Sequence, residues 1–321
     1  MSDRSPIRTV LVIHKDMDEV RTVLDKRAGD IAVHYVSDLD QIEPTLERAK
    51  PDAVFSISQS TFSGTAQRAA IDYPTVRWFH VGGSGYEYIV PWDHPRVTVT
   101  NGLGILAPFL AETALTGMLM LNGNFLRYAT QQRDHIWQPI FFNPLQGQTL
   151  LVVGFGKIGA LVAANAKALG MRVLATRRTA APDPSVAEVH GDEALGDLIG
   201  QADFVSLHIR MSEQNRGLIN AEILAKMKQG SFLINTSRGP VIDQTALIDA
   251  LGSGHLGGAY LDVFEKEPLA ADSPLWDMPN VIITPHAADN VHDWASRFAH
   301  FFADNLGRWN TGQELLNVVT S

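Results

Sequence analysis

The chain has no cysteine among its 321 residues. Disulfide frameworks, thiolate metal sites and cysteine nucleophiles are therefore excluded, and a reducing compartment is compatible with that composition. No stretch approaches the roughly 18 consecutive apolar residues of a membrane helix. The first residues, Met1-Ser-Asp-Arg-Ser-Pro6, carry no basic stretch backed by an apolar segment, and Thr9-Val-Leu-Val-Ile13 is only strand-length, so no secretory leader is expected. An excess of basic charge is missing too. Net charge is −9 without long runs of either sign, which argues against a nucleic-acid partner. Internal repeats and low-complexity segments are absent. What remains is 45% hydrophobic and 19% charged, the balance of a folded globular protein, with length enough for two domains. The expectation is a soluble cytoplasmic protein that binds neither membrane, nucleic acid nor metal.

Residues 1 to about 101 alternate apolar runs with polar helical stretches. Thr9–Ile13, Ile31–Val36, Ala53–Ile57, Val76–Phe79 and Val97–Thr100 read as strands of a small α/β unit. A long helix is expected over Pro108 to Tyr128, with Pro108 in its first turn and Glu112 at its positive end. The most regular stretch follows. Thr149–Val153, Met171–Ala175, Phe204–His208, Phe232–Asn235, Ala259–Val263 and Val281–Thr284 read as strands. They alternate with helices at Lys157–Leu169, Ala221–Met227 and Gln244–Leu251, the pattern of a doubly wound parallel sheet. A helix over Val291–Trp309 and the run Leu315–Val319 would cross back to complete the first unit. The expected architecture is α/β with two doubly wound parallel-sheet domains. Residues 1–101 with 288–321 would form a smaller flavodoxin-like substrate domain, into which a Rossmann dinucleotide-binding domain, 102–287, is inserted.

Two constellations carry chemistry. In the first, Gly154-Phe-Gly156-Lys-Ile-Gly159 ends one strand and opens a helix. Glycines so placed allow a tight turn and bring a pyrophosphate close to the positive end of that helix. After the next strand stands Ala175-Thr-Arg177-Arg178, where an NAD-preferring protein usually has an acid. Guanidiniums there suit a 2′-phosphate, so the expected cofactor is NADP, with NAD as the alternative. In the second constellation, Arg238, Glu267 and His286 each follow a strand-like apolar run. Ligands of open α/β sheets bind beyond the carboxyl ends of the strands. A cation, a carboxylate and an imidazole at that edge can hold an anion and move a proton.

These motifs, with His208-Ile-Arg-Met-Ser-Glu-Gln-Asn-Arg-Gly-Leu218, resemble the D-isomer-specific 2-hydroxyacid dehydrogenases. The resemblance covers nearly the whole chain and is strongest from about residue 149 to 287. Within that family His135-Ile-Trp-Gln-Pro139 and the basic residues after the second strand are most similar to the glyoxylate/hydroxypyruvate reductases. The resemblance makes Arg238, Glu267 and His286 the catalytic residues. It places a substrate carboxylate at Gly83-Ser84-Gly85, whose backbone N–H groups can form an anion-binding concavity. It adds Lys157, Ile158, Thr236 and Ser237 as cofactor residues and aims Asp262 at the nicotinamide carboxamide. It also implies a homodimer built on the 108–128 helix. Trp137 reads equally as a packing aromatic or as a substrate-pocket residue. Three positions depart from the family pattern: Arg210 for Pro, Asp289 for Gly, and Leu103 for Pro.

Carried onto the residues, the implied reaction is reduction of a small 2-keto acid of the glyoxylate or hydroxypyruvate type to its D-2-hydroxy acid. His286 would give the proton. Glu267 would favour and orient the protonated ring. Arg238 would hold and polarise the substrate. Two other readings stand beside this one: a dinucleotide-sensing, corepressor-like interaction protein, and a dehydrogenase for a bulkier 2-hydroxy acid. Formate dehydrogenases of the same fold carry Gln where this chain has Glu267.

Overall fold

The computed structural model describes residues 5–15, 17–57, 64–93, 95–184, 186 and 188–319. Residues 1–4, on which part of the leader argument rests, lie outside them. The chain forms two compact units, residues 1–106 with 291–321, and residues 107–290.

The first unit runs β1 (Thr9–Ile13), α1 (Asp18–Arg27), β2 (Ala32–Val36), α2 (Ile42–Ala49), β3 (Ala53–Ser56), α3 (Gly64–Asp72), β4 (Trp78–Val81) and β5 (Thr98–Asn101). The second holds α4 (Ala107–Asn122), α5 (Phe125–Arg133), β6 (Thr149–Val153), α6 (Lys157–Ala168), β7 (Arg172–Thr176), β8 (Glu188–His190), α7 (Leu195–Leu198), β9 (Phe204–Leu207), α8 (Ala221–Lys226), β10 (Phe232–Asn235), α9 (Gln244–Gly252), β11 (Gly258–Leu261) and β12 (Val281–Ile283). The chain then returns to the first unit as α10 (Trp294–Asn310).

In the first unit five parallel strands lie in the order β2-β1-β3-β4-β5. Successive side chains alternate between two cores, since a strand points neighbours to opposite faces. Val10, Val12, Phe55 and Trp78 pack against α1 and α10, while Leu11, Ile13, Val54 and Phe79 pack against α2 and α3. Helix α10 buries Phe298, Phe302, Leu306 and Trp309, an apolar stripe at helical spacing.

The second unit is a seven-stranded parallel sheet in the order β12-β11-β10-β9-β6-β7-β8. Helices α4 and α6 cover the face bearing Leu150, Val152, Ile234 and Tyr260. Helices α8 and α9 cover the face bearing Leu151, Val153, Leu233 and Leu261. Between β6 and β9 the strand order reverses, so the loops at their carboxyl ends part and leave a crevice. This is the expected class of fold, two doubly wound sheets with the second contained in the first.

Differences from the sequence reading are local. The helix expected over 108–128 is two: α4 stops at Asn122, Asn124 takes a left-handed backbone (φ 56°), and α5 begins at Phe125. Gly123-Asn124 is a helix-ending pair that the surrounding apolar pattern obscured. Strand β4 lies two residues later than Val76–Phe79, because Val76 still closes a turn onto Tyr73 and because His80 is drawn into the sheet. Strand β8 was not foreseen; it is a three-residue edge with Glu188 and His190 on it. Helix α10 starts at Trp294, and the 315–319 run makes a single bridge, Val318 to Thr100.

His80 is fully enclosed by the rings of Phe55, Trp78, Phe301 and Phe302, and burial pushes it down to about 3. In the unfolded chain it titrates near 6.5. Unfolded molecules therefore bind a proton that folded ones refuse. Stability from this group is whole above about pH 6.5 and falls as pH drops toward 3, by up to about 1.4 kcal/mol per pH unit. Between about pH 7.5 and 4.5, urea unfolding of the wild type should lose about 2–3 kcal/mol more than that of His80→Phe. Equal losses would contradict this origin of acid sensitivity.

Candidate active site

At the carboxyl end of β6, Gly154 takes φ +95°, and a Cβ on it would meet the carbonyl of His208 at 2.7 Å. Only glycine lets this turn lie against the end of β9. A Cβ on Gly159 would strike the Gly154 carbonyl oxygen at 2.4 Å, so its absence lets α6 pack close to the turn. Gly156 is different. Its backbone is ordinary, it caps α6 without a side-chain bond, and nothing lies within 4 Å of its missing Cβ. The turn thus opens onto space at the positive end of a twelve-residue helix, the environment a pyrophosphate requires. Lys157 and Ile158 form the first turn of α6, Lys157 exposed and Ile158 packed against the core.

Beyond β7, Arg177 is half-buried and Arg178 exposed; Arg177 Nε donates to the Thr179 carbonyl at 2.7 Å. No carboxylate pairs with either guanidinium among the described residues. A hollow of about 400 Å³, lined by Ala180, Pro182, Val186 and His190 among others, lies next to them. Two acids, Asp183 and Glu188, line it, and Glu188 is occupied by Arg172 at 2.7 Å and by His190 at 3.0 Å. Thr236, after β10, has a buried hydroxyl with no partner among the described residues. That of its neighbour Ser237 donates to Asn235 Oδ1 at 2.8 Å. The residues present fit a dinucleotide.

Three neighbouring strands deliver the remaining groups. Arg238 follows β10, Glu267 follows β11 and His286 follows β12. His286 Nδ1 lies 2.7 Å from Glu267 Oε2, while Glu267 Oε1 accepts the Phe264 N–H at 3.0 Å. Burial raises the Glu267 carboxyl, but the bonds from His286 and Phe264, with the charges of His286 and Arg238, outweigh it and hold it below the ordinary range. Arg238 Nη1 donates to the Ser237 carbonyl at 2.7 Å. Its loop is pressed against the loop that bears Glu267: a Cβ on Gly239 would sit 1.8 Å from the Phe264 oxygen. The sequence-inferred trio is thus brought to one edge, with two members in direct contact.

Two buried residues, not foreseen in this role, anchor these loops. Asn235 donates Nδ2 to the Arg238 carbonyl at 3.1 Å and accepts the Ser237 N–H at 3.0 Å. Asp262 accepts Thr284 Oγ1 at 2.6 Å and the Ala287 N–H at 2.8 Å on one oxygen, and its carbonyl accepts the His286 N–H at 2.8 Å. His208 also escaped the sequence reading. Its Nδ1 is enclosed without a partner among the described residues, its Nε2 lies 2.8 Å from Ser206 Oγ, and burial lowers it to about 4, which keeps the ring neutral. Among the described residues no cluster of His, Asp and Glu is arranged to hold a metal ion.

The other candidates differ from expectation in detail. In the first unit, the Gly83 N–H is turned onto the Val81 carbonyl at 2.9 Å, so it is unavailable to an anion. Ser84 and Gly85 amides have no partner among the described residues, and the Ser84 carbonyl accepts Asn101 Nδ2 at 3.0 Å. Trp137 is 100% exposed, which rules out packing within its own chain. Phe125, Ile136, Phe141 and Phe142, near it in the chain, are exposed as well. Of the departures, Arg210 is exposed, and Leu103 is half-buried just before Gly104, which takes φ +89°. Asp289 is partly buried: burial raises its carboxyl, His286 and Arg238 pull it down and Asp262 pushes it up, with a net rise. No helix of the described residues is long and apolar enough to cross a membrane.

A glycine turn at a switch point, with an acid–imidazole pair on the same sheet edge, defines a dinucleotide-dependent enzyme of the α/β class. Comparison with known proteins narrows this. Residues 115–288 match the family model described as D-isomer specific 2-hydroxyacid dehydrogenase, NAD binding domain. A glyoxylate reductase of Korarchaeum cryptofilum is 33% identical over 93% of this chain and 94% of its own. A crystal structure of a D-isomer specific 2-hydroxyacid dehydrogenase family protein from Aeromonas salmonicida superposes with a TM-score of 0.84 at 28% identity, covering 98% of this chain and 99% of that one. Another, from Xanthobacter autotrophicus in complex with NADPH and MES, has a TM-score of 0.80 at 27% identity, covering 97% and 98%. The chain belongs to the D-isomer specific 2-hydroxyacid dehydrogenases, oxidoreductases that interconvert 2-keto and 2-hydroxy acids with a nicotinamide dinucleotide.

The glycines of the turn make separable demands. Gly156→Ala should leave the melting temperature within about 1 °C, because space and backbone accept the methyl, yet weaken dinucleotide binding by about tenfold or more as the methyl enters the phosphate approach. Gly159→Ala should lower both. Calorimetric melting and titration with NADPH distinguish them; unaltered binding by Gly156→Ala would remove the phosphate from this turn.

Proposed function

We propose that the protein is an NADPH-preferring reductase of small 2-keto acids of the glyoxylate or hydroxypyruvate type, with Arg238, Glu267 and His286 as its catalytic residues. The observation that carries this reading is the 2.7 Å contact between His286 and Glu267 beside the strand-end Arg238. The glyoxylate reductase relative supports the substrate class.

In this reading residues 107–290 form the dinucleotide-binding domain, and residues 1–106 with 291–321 the substrate domain. Gly154, Gly156 and Gly159, with Lys157 and Ile158, receive the pyrophosphate on the N–H groups of α6. Thr236 and Ser237 line the same cofactor. Arg177 and Arg178 meet the 2′-phosphate; their freedom from carboxylates and the NADPH complex of the Xanthobacter relative support that preference. A nicotinamide held there would supply the hydride that C2 of the keto acid requires. Arg238 binds the substrate carboxylate and the carbonyl oxygen, stabilising negative charge as it develops there. His286, protonated, gives its proton to that oxygen, so the product is a neutral hydroxyl and a neutral imidazole that recovers a proton from water. Glu267 stays ionised throughout and holds the ring through Nδ1, which directs Nε2 at the substrate. Ser84 and Gly85 offer their amides to the carboxylate.

A homodimer, with a cytoplasmic location, belongs to the same proposal. The exposure of five large apolar side chains, Phe125, Ile136, Trp137, Phe141 and Phe142, within eighteen residues of chain supports an assembly through this segment, since exposed apolar surface marks interaction sites. Trp137 would then meet a second copy. No observation favours the dinucleotide-sensing alternative.

His286→Ala should lower kcat by about 10²–10⁴-fold in reduction of glyoxylate, with NADPH affinity little changed. Arg238→Ala should raise KM for the keto acid as well as lowering kcat; normal values for either variant would remove that residue from the reaction. Exchanging Arg177 and Arg178 together for alanine should cut kcat/KM with NADPH by about tenfold or more while sparing NADH. A wild-type enzyme equally good with NADH would refute the cofactor preference.

A further inference from the structure

His286 carries its ring on a left-handed backbone, φ +52°. For a residue with a side chain this region is sparsely populated, costs free energy, and persists only where the surroundings impose it. What imposes it lies at the end of β11 and on α4. Thr284 Oγ1 is 2.6 Å from Asp262 Oδ1, and Tyr260 Oη is 2.9 Å from Thr284 Oγ1. Thr284 has one hydroxyl proton, and the buried carboxylate takes it. Tyr260 must therefore be the donor to Thr284. Burial raises the Tyr260 phenol, with the Asp262 charge adding to that and the Thr284 bond opposing it, so it keeps the proton this role requires.

Helix α4 backs the arrangement at two points. Gly117 lies flat against the Tyr260 ring, where a Cβ would come within 2.2 Å, and Thr113 Oγ1 donates to the Ala288 carbonyl at 2.8 Å. The loop from Thr284 to Ala288 is thus fastened at its start by Thr284, in its middle by the His286 and Ala287 N–H groups on Asp262, and at its end by Thr113.

We infer that Tyr260, Thr284 and Asp262 form a hydrogen-bonded relay, seated against α4, that holds the backbone of His286 left-handed and so sets its ring in line with Glu267. They are positioning residues; none needs to touch the reacting atoms. The reading of Asp262 changes with this. One of its oxygens is already committed to two donors within the loop, so only the other is left for a cofactor amide. The inference rests on His286 as the proton carrier, but its geometric core can be examined separately.

The test uses Thr284→Val, Thr284→Ser and Tyr260→Phe in the full chain, with glyoxylate and NADPH as probes. Turnover and KM are read alongside the NMR signal of the His286 Nδ1 proton, assigned by its loss in His286→Ala. Thr284→Val and Tyr260→Phe should lower kcat by about ten- to a hundredfold, with KM and NADPH affinity within about twofold. Both should weaken or abolish the ring-proton signal and speed hydrogen exchange at the Ala287 amide. Thr284→Ser, which restores the hydroxyl, should recover turnover and signal. Should Thr284→Val fail to fold, Tyr260→Phe, which removes a single oxygen, carries the test. Wild-type turnover with an intact ring signal in Tyr260→Phe and Thr284→Val overturns the relay. So does a Thr284→Ser variant as impaired as Thr284→Val. If His286→Ala itself turned over normally, the proton-donor assignment would fall; the ring signal and Ala287 exchange in Thr284→Val would still decide whether the relay exists.

Discussion

Parallel pairing is the constraint from which the site follows. Seven strands running one way put all their carboxyl ends on a single edge, and helices on both faces leave that edge as the place where polar loops can converge. Strands β10, β11 and β12 are neighbours in register, Asn235 beside Leu261 and Leu261 beside Ile283. A residue placed three to six positions beyond each strand is therefore delivered to the same edge. No specific long-range attraction between Arg238, Glu267 and His286 is needed to gather them; sheet registry does so, and local bonds set the final ångströms.

Those local bonds follow one pattern. At the end of β10 the buried side chain of Asn235 satisfies the Arg238 carbonyl and the Ser237 N–H. At the end of β11 the buried side chain of Asp262 does the same for the loop after β12. The Asp262 N–H bonds the Asn235 carbonyl, so the two anchors are tied to each other through the sheet. A buried carboxylate is costly unless its lone pairs are used, and here they are used by the loop that carries the imidazole. Polar burial that would be a liability elsewhere becomes the means of holding a strained residue still.

How much of this was legible in the sequence depends on whether a residue acts through its place along the chain or across it. Arg238, Glu267 and His286 were legible because each terminates an apolar run, and Gly154, Gly156 and Gly159 because strand, turn and helix are consecutive. Tyr260 and Thr284 were not. They meet only because β11 lies beside β12, 24 positions apart in sequence, and nothing local distinguishes Tyr260 from any aromatic in a strand. The break between α4 and α5 was masked by apolar residues on both sides of Gly123-Asn124. His80 fell outside the expected strand Val76–Phe79, and nothing local marks it as buried, because part of its enclosure comes from Phe301 and Phe302 of α10, far downstream. Trp137 offered two readings, and full exposure excludes one of them. Gly83 shows the reverse error: its type suited an open anion loop, but its own N–H closes a turn.

The van der Waals contact between Gly117 and Tyr260 has a consequence for how this chain can drift. A methyl at position 117 and an aromatic ring at position 260 compete for one volume. Each site's tolerance is thus set by the other's occupant, and a change acceptable alone at neither could become acceptable at both together. Homologues that enlarge the helix should shrink the strand residue, so covariation between a sheet-facing glycine and a strand tyrosine would carry the imprint of a catalytic turn to which only the tyrosine is bonded.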